Sequence, residues 1–381
     1  MTTTNLKLPR KILYIINEDY AFLSNCQPMA RVARDNGFEV HVATNVVSSA
    51  MPIEAEGFVL HKIPFQRGAS SLIAAITTLF AIRKVEKQIE PDIVHHSGLQ
   101  CCVYASVAAL DQRFLRVNAL TGLGHVFTSG NWRTQLLRGW LVWMLRWLLN
   151  DMNSHVLVQN PDDRDLMLTL GIKPDRITLI PGSGVDTDAL QPLPEPTGPI
   201  TFGFAGRLLG DKGIRELIGA HEILHQEGRN YRLVIAGNPD PLNPSSVSLD
   251  EVKEWAERPG ITWLGHIDDI KLLWRACHIA VLPSYREGLP LSLLEAAACG
   301  RPLVATDAPG CREIVLNKIT GLRVPVQSPD ALAQAIQQLA ESREQRSQYG
   351  ANARRLVEDK LSAKTIGMLT KVFYDRLISK V

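Results

Sequence analysis

The sequence predicts an α/β protein of two Rossmann-like, doubly wound domains that face each other across a cleft. Its 381 residues exceed what a single hydrophobic core usually serves. Short apolar runs alternate with helical segments along the chain, as they do in parallel sheets covered on both faces. A proline-rich stretch at residues 189–199 interrupts this alternation. We therefore expect an N-terminal domain at residues 1–188, a linker at 189–199 and a C-terminal domain at 200–361.

Composition narrows the class of protein. A net charge of +2 argues against a nucleic-acid coat and against an acidic tail. The six cysteines show no CxxC or metal-ligand spacing and most stand in apolar surroundings, which indicates reduced thiols in the cytoplasm. Residues 1–10 are polar and do not resemble a signal peptide, and no apolar run reaches the ~18 residues that a membrane span needs.

Strands and helices alternate through the first half. The apolar runs predict strands at residues 11–16, 38–43, 58–63, 92–95, 114–120, 154–158 and 176–180. A polar loop at residues 17–20 follows the first strand, and the longest helices are expected at residues 72–89 and from Trp132 onward. The pattern is Rossmann-like, but the half lacks the GxGxxG turn of dinucleotide-binding domains.

The same alternation restarts after the proline-rich stretch. Strands are predicted at residues 200–205, 231–236, 261–264, 278–282 and 302–306, with helices between them. Three further helices follow at residues 331–340, 347–358 and 362–378. The last is amphipathic, and we expect residues 362–381 to pack back on the N-terminal domain.

One stretch, residues 284–300, combines a strand end, a loop and a short helix. Pro290 is expected at the first helical position, and Gly300 is a natural helix stop. The free backbone amides of residues 291–293 then point into the crevice above the strand, where they suit a phosphate. Glu287 in the loop and Glu295 just over one turn inside the helix place a carboxylate on either side for sugar hydroxyls.

Cations stand at another strand end of the same domain. Ligands of open α/β sheets bind where the carboxyl ends of the strands meet the following loops. Arg207 lies at such an end, and Lys212 lies at the start of the next helix. Two cations beside a helix N-terminus form a site for a diphosphate. Ribose and a hexose are the natural partners of Glu295 and Glu287.

These motifs resemble the retaining GT-B glycosyltransferases of family 4, the glycosyl transferases of group 1. Residues 180–186 and 297–304 share the resemblance, which covers nearly the whole chain and is strongest between residues 180 and 324. Gly210 is a departure, because the family often has proline there. The resemblance implies a UDP-sugar donor held by the C-terminal domain, an acceptor held by the N-terminal domain, and no cofactor or obligatory metal.

The resemblance also implies roles for single residues. Arg207 and Lys212 would stabilise the leaving diphosphate, Glu287 would contact the donor sugar, and Glu295 would bind the ribose. Further donor-binding positions are implied at Gly206, Gly237, Gly288, Leu289, Pro290 and Leu291.

The N-terminal domain carries candidates for the acceptor. Residues 121–127 resemble bacterial members of the family that extend sugars on polyprenyl diphosphate carriers, including N-acetylgalactosaminyltransferases. Many members place a histidine at this strand end, whereas here Thr121 stands there and His125 follows four residues later. Glycines such as Gly122 would let backbone amides approach a phosphate closely. Asn17, Glu18 and Asp19 are further acceptor candidates, although for Glu18 and Asp19 a solvated loop is an equal alternative.

The segment 132–149 favours a lipid-linked acceptor and contact with a membrane. It holds four of the seven tryptophans and three arginines without an acid. Residues 61–150 contain ten lysines and arginines against four acids. Tryptophan with arginine suits a headgroup interface, and we take Arg138, Trp143, Arg146 and Trp147 as lipid-contact candidates. The alternative is a helix packed inside the protein.

Together these observations predict a retaining glycosyltransferase. It would move an N-acetylhexosamine from a UDP-sugar to a lipid-linked saccharide, in the cytoplasm and peripheral on the inner membrane. Two alternatives stay open. A nucleotide-sugar 2-epimerase shares the architecture and would form an epimer without acceptor, whereas a non-catalytic binding protein would hold the UDP-sugar without turnover.

Overall fold

The structure, a computed structural model, describes residues 9–65, 72–120 and 132–379. The chain divides into two compact units. The first unit comprises Met1–Ser183 and Gly367–Val381, and the second comprises Gly184–Ile366. The chain therefore passes between the units twice, after Ser183 and inside the last helix.

A parallel sheet of seven strands forms the centre of the first unit, in the order β3-β2-β1-β4-β5-β6-β7. Its strands are β1 Arg10–Glu18, β2 Phe38–Asn45, β3 Val59–Lys62, β4 Ile93–Ser97, β5 Leu115–Ala119, β6 Ser154–Val158 and β7 Ile177–Leu179. The inner strands β4, β5 and β6 are buried along their whole length because helices cover both faces of a parallel sheet. The buried positions of these strands include polar side chains, and two of them pair, with His96 Nδ1 lying 2.8 Å from Asn118 Oδ1.

The helices of the first unit mostly lie where the sequence predicts them. They are α1 Asp19–Asn25, α2 Gln27–Asp35, α3 Met51–Ala55, α4 Leu72–Ile89, α5 Leu99–Ala108, α6 Trp132–Leu149 and α7 Pro161–Thr169. The first strand differs from the prediction, because β1 continues to Glu18 and α1 begins at Asp19 without a loop. An irregularity in the pairing with β2, between Ile15 and Glu18, lets the strand run past its apolar residues.

The second unit contains a parallel sheet of six strands, in the order β10-β9-β8-β11-β12-β13. Its strands are β8 Thr201–Ala205, β9 Arg232–Ala236, β10 Ile261–Gly265, β11 Ile279–Leu282, β12 Leu303–Thr306 and β13 Gly321–Val324. Both units are thus Rossmann-like, which confirms the predicted α/β class. Strand β13 was not predicted, because a four-residue run shows too little periodicity.

Helices cover both faces of this second sheet. They are α8 Ile214–Gln226, α9 Leu249–Ala256, α10 Ile270–Ala276, α11 Leu291–Ala298, α12 Pro329–Glu341, α13 Arg343–Leu356 and α14 Ala363–Ile378. The alanines of α11 are fully buried in the core of the unit, where their small side chains let the helix lie close to the sheet.

The last helix, α14, continues into the first unit. Its Tyr374 is fully buried, and the hydroxyl group lies 2.9 Å from the Tyr14 hydroxyl and 2.8 Å from His95 Nδ1. Burial lowers the pKa of His95 to about 3, so the ring is neutral and one hydroxyl proton can be shared among these groups. The C-terminal helix is held to β1 and β4 by this network.

The proline-rich stretch 189–199, which composition predicts to be a linker, packs on the second unit. Proline supplies no N–H, so carbonyl groups in this stretch need donors from elsewhere. Arg354 donates to the Leu190 carbonyl, and Arg301 donates to the Pro194 carbonyl at 2.8 Å. Glu195 accepts from Arg346 at 2.6 Å. These arginines are buried, so the stretch is anchored to the second unit although most of its own residues stay exposed or half-buried.

Candidate active site

The candidate site lies where the strand order of the second sheet reverses. Strands β8 and β11 are neighbours, but the chain leaves them toward opposite sides of the sheet. The crevice above such a pair of strands is the usual ligand site of open α/β sheets. The loops that follow these strands, residues 206–213 and 283–290, hold Arg207, Lys212 and Glu287.

Lys212 and Glu287 meet directly. Lys212 Nζ donates to Glu287 Oε1 at 2.7 Å, and the Ser284 hydroxyl donates to the same oxygen at 2.6 Å. The Lys212 and Glu287 side chains are mostly buried, whereas Ser284 is fully buried. The carboxylate is therefore fixed by two donors on one oxygen, which holds it in a single orientation.

Backbone contacts between the two loops hold this pair in register. The Tyr285 amide donates to the Asp211 carbonyl at 2.9 Å. Gly213 has a φ of +71°, and a Cβ atom there would lie 2.1 Å from the Pro283 carbonyl oxygen. Glycine is needed at this position both for the left-handed conformation and for the close approach of the loop after β11. The glycine that directly follows Lys212 in the sequence thus has a structural reason.

Arg207 reaches a different partner. Its guanidinium donates to Asp240 Oδ2 at 2.7 Å, and its side chain stays about half exposed. Asp240 lies in the loop after β9 and is mostly buried. Gly206 and Gly237, at the ends of β8 and β9, touch through their backbones, because a Cβ on Gly237 would lie 1.9 Å from the Gly206 carbonyl oxygen. The ends of β8 and β9 are therefore packed closely beneath Arg207.

One of the three backbone amides expected to be free at the start of α11 already has a hydrogen-bond acceptor within the protein. Pro290 is the residue before the helix and not its first residue, with Leu291 at the first position. The Leu293 amide donates to the Pro290 carbonyl at 3.2 Å, which leaves the amides of Leu291 and Ser292 to face a ligand. The helix ends, as predicted, before Gly300, which has a φ of +73°.

The loop between Glu287 and Pro290 is supported from below. The Glu287 amide donates to the Pro309 carbonyl at 3.1 Å. A Cβ on Gly310 would lie 2.6 Å from the Gly288 carbonyl oxygen, so the turn after β12 presses against this loop. Leu289 and Leu291 are partly buried and pack against the core of the unit, so we expect their backbone groups to serve a ligand.

Glu295 lies on α11, one turn inside the helix and partly buried. Burial raises the pKa of its carboxyl group from the ordinary value of 4.5 to about 7. No arginine or lysine is among the causes of this shift. A carboxyl group in this state can exchange its proton for the hydroxyl donors of a bound diol near neutral pH.

The site can therefore hold a diphosphate between cations and amides and a sugar beside carboxylates. Arg207 and Lys212 supply positive charge, and Glu287 and Glu295 supply acceptors. Among the residues that the structure describes, no group of three or more histidine, cysteine, aspartate or glutamate side chains could hold a metal ion. The six cysteines are free and buried, with no reactive thiol at the site.

The acceptor candidates of the first unit have separate surroundings. Asn17 lies on β1 and is partly buried, and Glu18 is buried and accepts a hydrogen bond from the Tyr20 hydroxyl. The neighbouring Asp19 is fully buried, and its carboxylate accepts from the amides of residues 47–49 at 2.8–3.1 Å. Asp19 thus secures the loop after β2. Thr121, Gly122 and His125 lie outside the described residues.

Helix α6 has one buried and one exposed face. Leu145, Leu148 and Leu149 are buried, whereas Trp143 and Trp147 are 64% and 55% exposed. Arg146 is exposed and its guanidinium rests on Gly171. The alternative of a helix packed inside the protein therefore describes only one face of α6. The side chain of Arg138 lies outside the described residues. No described helix combines the length and the hydropathy of a membrane span.

Two residues of the site were not expected from the sequence. Ser284 directs Glu287, and Asp240 holds Arg207. The position of Ser284 next to the end of a buried strand was a usable signal, because strand ends at this edge carry ligands. The sequence around Asp240 offers no such signal, since proline-rich loops commonly contain aspartate for turns alone.

Two protein-family models match this chain, one within each of the two units. Residues 186–356 match a family model described as glycosyl transferases group 1. Residues 11–160 match a second model described as glycosyl transferase 4-like. The second match covers the first sheet except β7, and the first match covers the whole second sheet with all the charged residues of its site.

Curated relatives extend over almost the full length. One is the N,N'-diacetylbacillosaminyl-diphospho-undecaprenol alpha-1,3-N-acetylgalactosaminyltransferase of Campylobacter jejuni subsp. jejuni serotype O:2, which is 26% identical over 93% of this chain and 95% of its own length. Another is the capsular polysaccharide biosynthesis glycosyltransferase CapM of Staphylococcus aureus, which is 22% identical over 91% of this chain and 92% of its own.

Solved structures share the fold. A sucrose-phosphate synthase from Thermosynechococcus elongatus matches with a TM-score of 0.82 at 19% identity, over 98% of this chain and 100% of its own. HepE from Anabaena, solved with UDP and glucose, matches with a TM-score of 0.77 at 17% identity, over 96% of this chain and 99% of its own. These likenesses confirm the predicted GT-B fold.

Proposed function

We propose that this chain is a retaining glycosyltransferase, because it belongs to the group 1 glycosyl transferases and has the GT-B fold. It moves an N-acetylhexosamine from a UDP-sugar to a saccharide that is carried on polyprenyl diphosphate. The donor occupies the second unit, and the acceptor is held by the first. The reaction serves the assembly of bacterial surface glycans or glycoproteins.

The observation that carries the proposal is the arrangement of charges where the strand order reverses. Lys212 lies against Glu287 at 2.7 Å, and Arg207 and the first amides of α11 belong to the same edge of the sheet. A nucleotide sugar needs cations and amides for its diphosphate and acceptors for its hydroxyl groups. Both kinds of group are present on the two loops that meet there.

Catalysis follows from where charge develops. The bond between the anomeric carbon and the phosphate oxygen breaks, and its electron pair leaves with the diphosphate. Arg207, Lys212 and the amides of α11 stabilise that growing negative charge, while Glu287 orients the sugar. The acceptor hydroxyl oxygen bonds to the anomeric carbon on the same face, and its proton passes to the departing phosphate oxygen. This scheme uses no obligatory metal.

Two observations support the lipid-linked acceptor. The relative from Campylobacter jejuni is named for a diphospho-undecaprenol substrate, and its similarity spans both units. Trp143 and Trp147 are exposed one turn apart on α6, with the exposed Arg146 between them. Tryptophan and arginine in this order suit a lipid headgroup layer. We place the enzyme on the cytoplasmic face of the bacterial inner membrane.

The test is UDP release from a panel of UDP-sugars, with and without a short-chain polyprenyl diphosphate saccharide. We expect release that depends on acceptor, with UDP-N-acetylhexosamines as the best donors. Arg207→Ala should lower turnover about 10²–10³-fold, as loss of one oxyanion donor does. Arg215→Ala is the matched control, because Arg215 is similarly exposed, at 51% against 47%, and also pairs with a carboxylate.

Other outcomes would assign a different function to the protein. Formation of an epimer without acceptor would identify a nucleotide-sugar 2-epimerase, and UDP binding without turnover on any donor would identify a non-catalytic binding protein. Equal turnover of the Arg207→Ala and Arg215→Ala variants would refute the role of Arg207. Inversion at the anomeric carbon of the product would refute the retaining mechanism.

A further inference from the structure

Helix α4 has two apolar faces, of which only one is covered. Thr78, Ile82 and Ile89 point into the core of the first unit and are buried. The opposite side carries Leu72, Ile73, Ile76 and Phe80, which are 75%, 77%, 43% and 69% exposed. The solvent side of a surface helix is normally polar, so a run of large apolar residues over its first nine positions is unusual.

Basic residues continue this side of the helix. Lys84 and Lys87 are exposed, and at 100° per residue they fall on the same side as Ile73, Ile76 and Phe80. The acid of the helix, Glu86, is turned inward and buried. We define Leu72, Ile73, Ile76, Phe80, Lys84 and Lys87 as the outer face of α4. It is apolar at one end, basic at the other, and contains no acid.

The apolar end lies at the edge of the sheet where ligands bind. Helix α4 follows the carboxyl end of β3, and the Thr78 hydroxyl donates to the Pro64 carbonyl at 2.9 Å just beyond that strand. The strand next to β3 is β2, and the exposed Val47 and Met51 follow its end at the same edge. Exposed apolar side chains therefore accumulate beside the carboxyl edge of the first sheet.

Charge decides which partner fits this face. A surface that binds a soluble protein partner is expected to carry charges of both signs. The outer face carries only positive charges, and the segment around it, residues 61–150, has ten basic residues against four acids. Apolar side chains that enter the acyl boundary, flanked by lysines that meet phosphates, are the pattern of an interfacial helix on anionic lipid. Neighbouring Arg83 is not part of the pattern, since it pairs with Asp111.

We propose that the outer face of α4 docks on an anionic lipid bilayer, with Ile73, Ile76 and Phe80 inserted and Lys84 and Lys87 at the headgroups. The inference rests on the proposed function in one respect, because a lipid-linked acceptor explains why such a surface lies beside the acceptor edge. Docking there brings the membrane to the acceptor edge of the first sheet. It adds a second contact to the one proposed for Trp143 and Trp147.

The experiment is flotation of the full chain with vesicles of phosphatidylglycerol and phosphatidylethanolamine. The wild-type protein should float with the vesicles, and Ile76→Glu/Phe80→Glu should lower the partition coefficient at least about tenfold, since an inserted carboxylate must be desolvated. Lys84→Gln/Lys87→Gln should lower it about tenfold at 50 mM salt and little at 500 mM, where charges are screened. Leu272→Glu is the matched control, because Leu272 is 56% exposed on a helix of the second unit.

Each result decides the proposal. Equal flotation of wild type and Ile76→Glu/Phe80→Glu, or an equal loss with Leu272→Glu, would overturn it. A change of mass in sedimentation equilibrium with unchanged flotation would assign the face to a second copy of the chain instead. Titration with UDP and transfer to a detergent-solubilised acceptor should stay normal in the α4 variants. Transfer without wild-type flotation would therefore overturn only the docking, and flotation without transfer would overturn only the proposed function.

Discussion

Lys212 Nζ lies 2.7 Å from Glu287 Oε1 and joins the loops after β8 and β11. Both side chains are mostly buried, at 22% and 14% exposed, so the ion pair is better shielded from solvent than a surface pair. One group faces the diphosphate and the other the sugar in the proposed reaction. In that reaction the pair would couple the binding of the two halves of the donor.

Lys212→Ala should lower kcat/KM for the UDP-sugar about 10²–10³-fold, because it removes a cation from the leaving group. It also leaves Glu287 with an uncompensated charge. The double variant Lys212→Ala/Glu287→Gln should therefore lose less than the sum of the single variants. Steady-state kinetics measure this, with Lys253→Ala as an exposed control. Strict additivity would show that the two residues act independently.

Asp240→Asn should strengthen UDP binding about two- to fivefold, because it removes a negative charge that pairs with Arg207 near the diphosphate. Asp240→Ala should also lower kcat, since Arg207 would lose the acceptor that positions it. Calorimetric titration with UDP and turnover measurements give the two values. Weaker UDP binding in Asp240→Asn would indicate that the carboxylate serves the ligand directly.

UDP binding should release a proton near pH 7 through Glu295. Its carboxyl group has a pKa of about 7, and hydroxyl donors of the ribose would lower that value in the complex by favouring the charged form. Below pH 7 the proton must first be removed, so the affinity for UDP should fall by up to about tenfold per pH unit. Titration in buffers of different ionisation enthalpy counts the proton. Glu295→Gln should abolish this release, and an unchanged count would exclude Glu295 as its source.

Tyr374→Phe should destabilise the first unit by about 1–3 kcal/mol, because the Tyr14 hydroxyl and His95 would each lose a buried partner. Urea unfolding followed by tyrosine and tryptophan fluorescence measures the free energy. Tyr104→Phe is a suitable comparison, since that ring stacks on Phe65 in another apolar cluster of the same unit. Equal stability of the two variants would show that the network contributes nothing.

Glu86 should make the protein less stable as the pH rises from 5 to 8. Burial raises the pKa of this carboxyl group to about 8, and its oxygens have no hydrogen-bond partner within the part of the chain that the structure describes. The folded state then keeps a proton that the unfolded state releases above its ordinary pKa of 4.5, so stability is lost over this window.

Glu86→Gln should remove this pH dependence. We expect the difference in unfolding free energy between wild type and variant to grow by roughly 1–3 kcal/mol between pH 5 and pH 8. Thermal melting at several pH values measures it, with the exposed Glu90→Gln as control. Parallel stability curves for Glu86→Gln and wild type would show that Glu86 is not the titrating group.

Local signals in the sequence predicted where much of the candidate site lies in the fold, but little about the residues that hold it in place. Glycine and proline marked both ends of α11, and the run before Pro283 marked β11, so Glu287 and Glu295 could be placed on a loop and a helix. Asp240 was missed because its partner Arg207 lies 33 residues away and only folding brings the two into contact. Ser284 lies three residues from Glu287, and its place just beyond the end of β11 was a signal for its role. Likewise, the prolines at residues 189–199 suggested a linker, and the buried Arg301, Arg346 and Arg354 that hold this stretch come much later in the chain.

The sequence by itself determined the alternation of strands and helices, the two Rossmann-like sheets and the residue types gathered at their strand ends. These features arise from periodicity and turn chemistry, which act over a few neighbouring residues. The tertiary structure decided which charges pair, which side of α4 stays uncovered, and which carboxyl groups hold a proton near neutral pH. Such properties depend on burial and on partners distant in sequence, because the cost of removing a charge or an apolar surface from water is set by the whole fold around it.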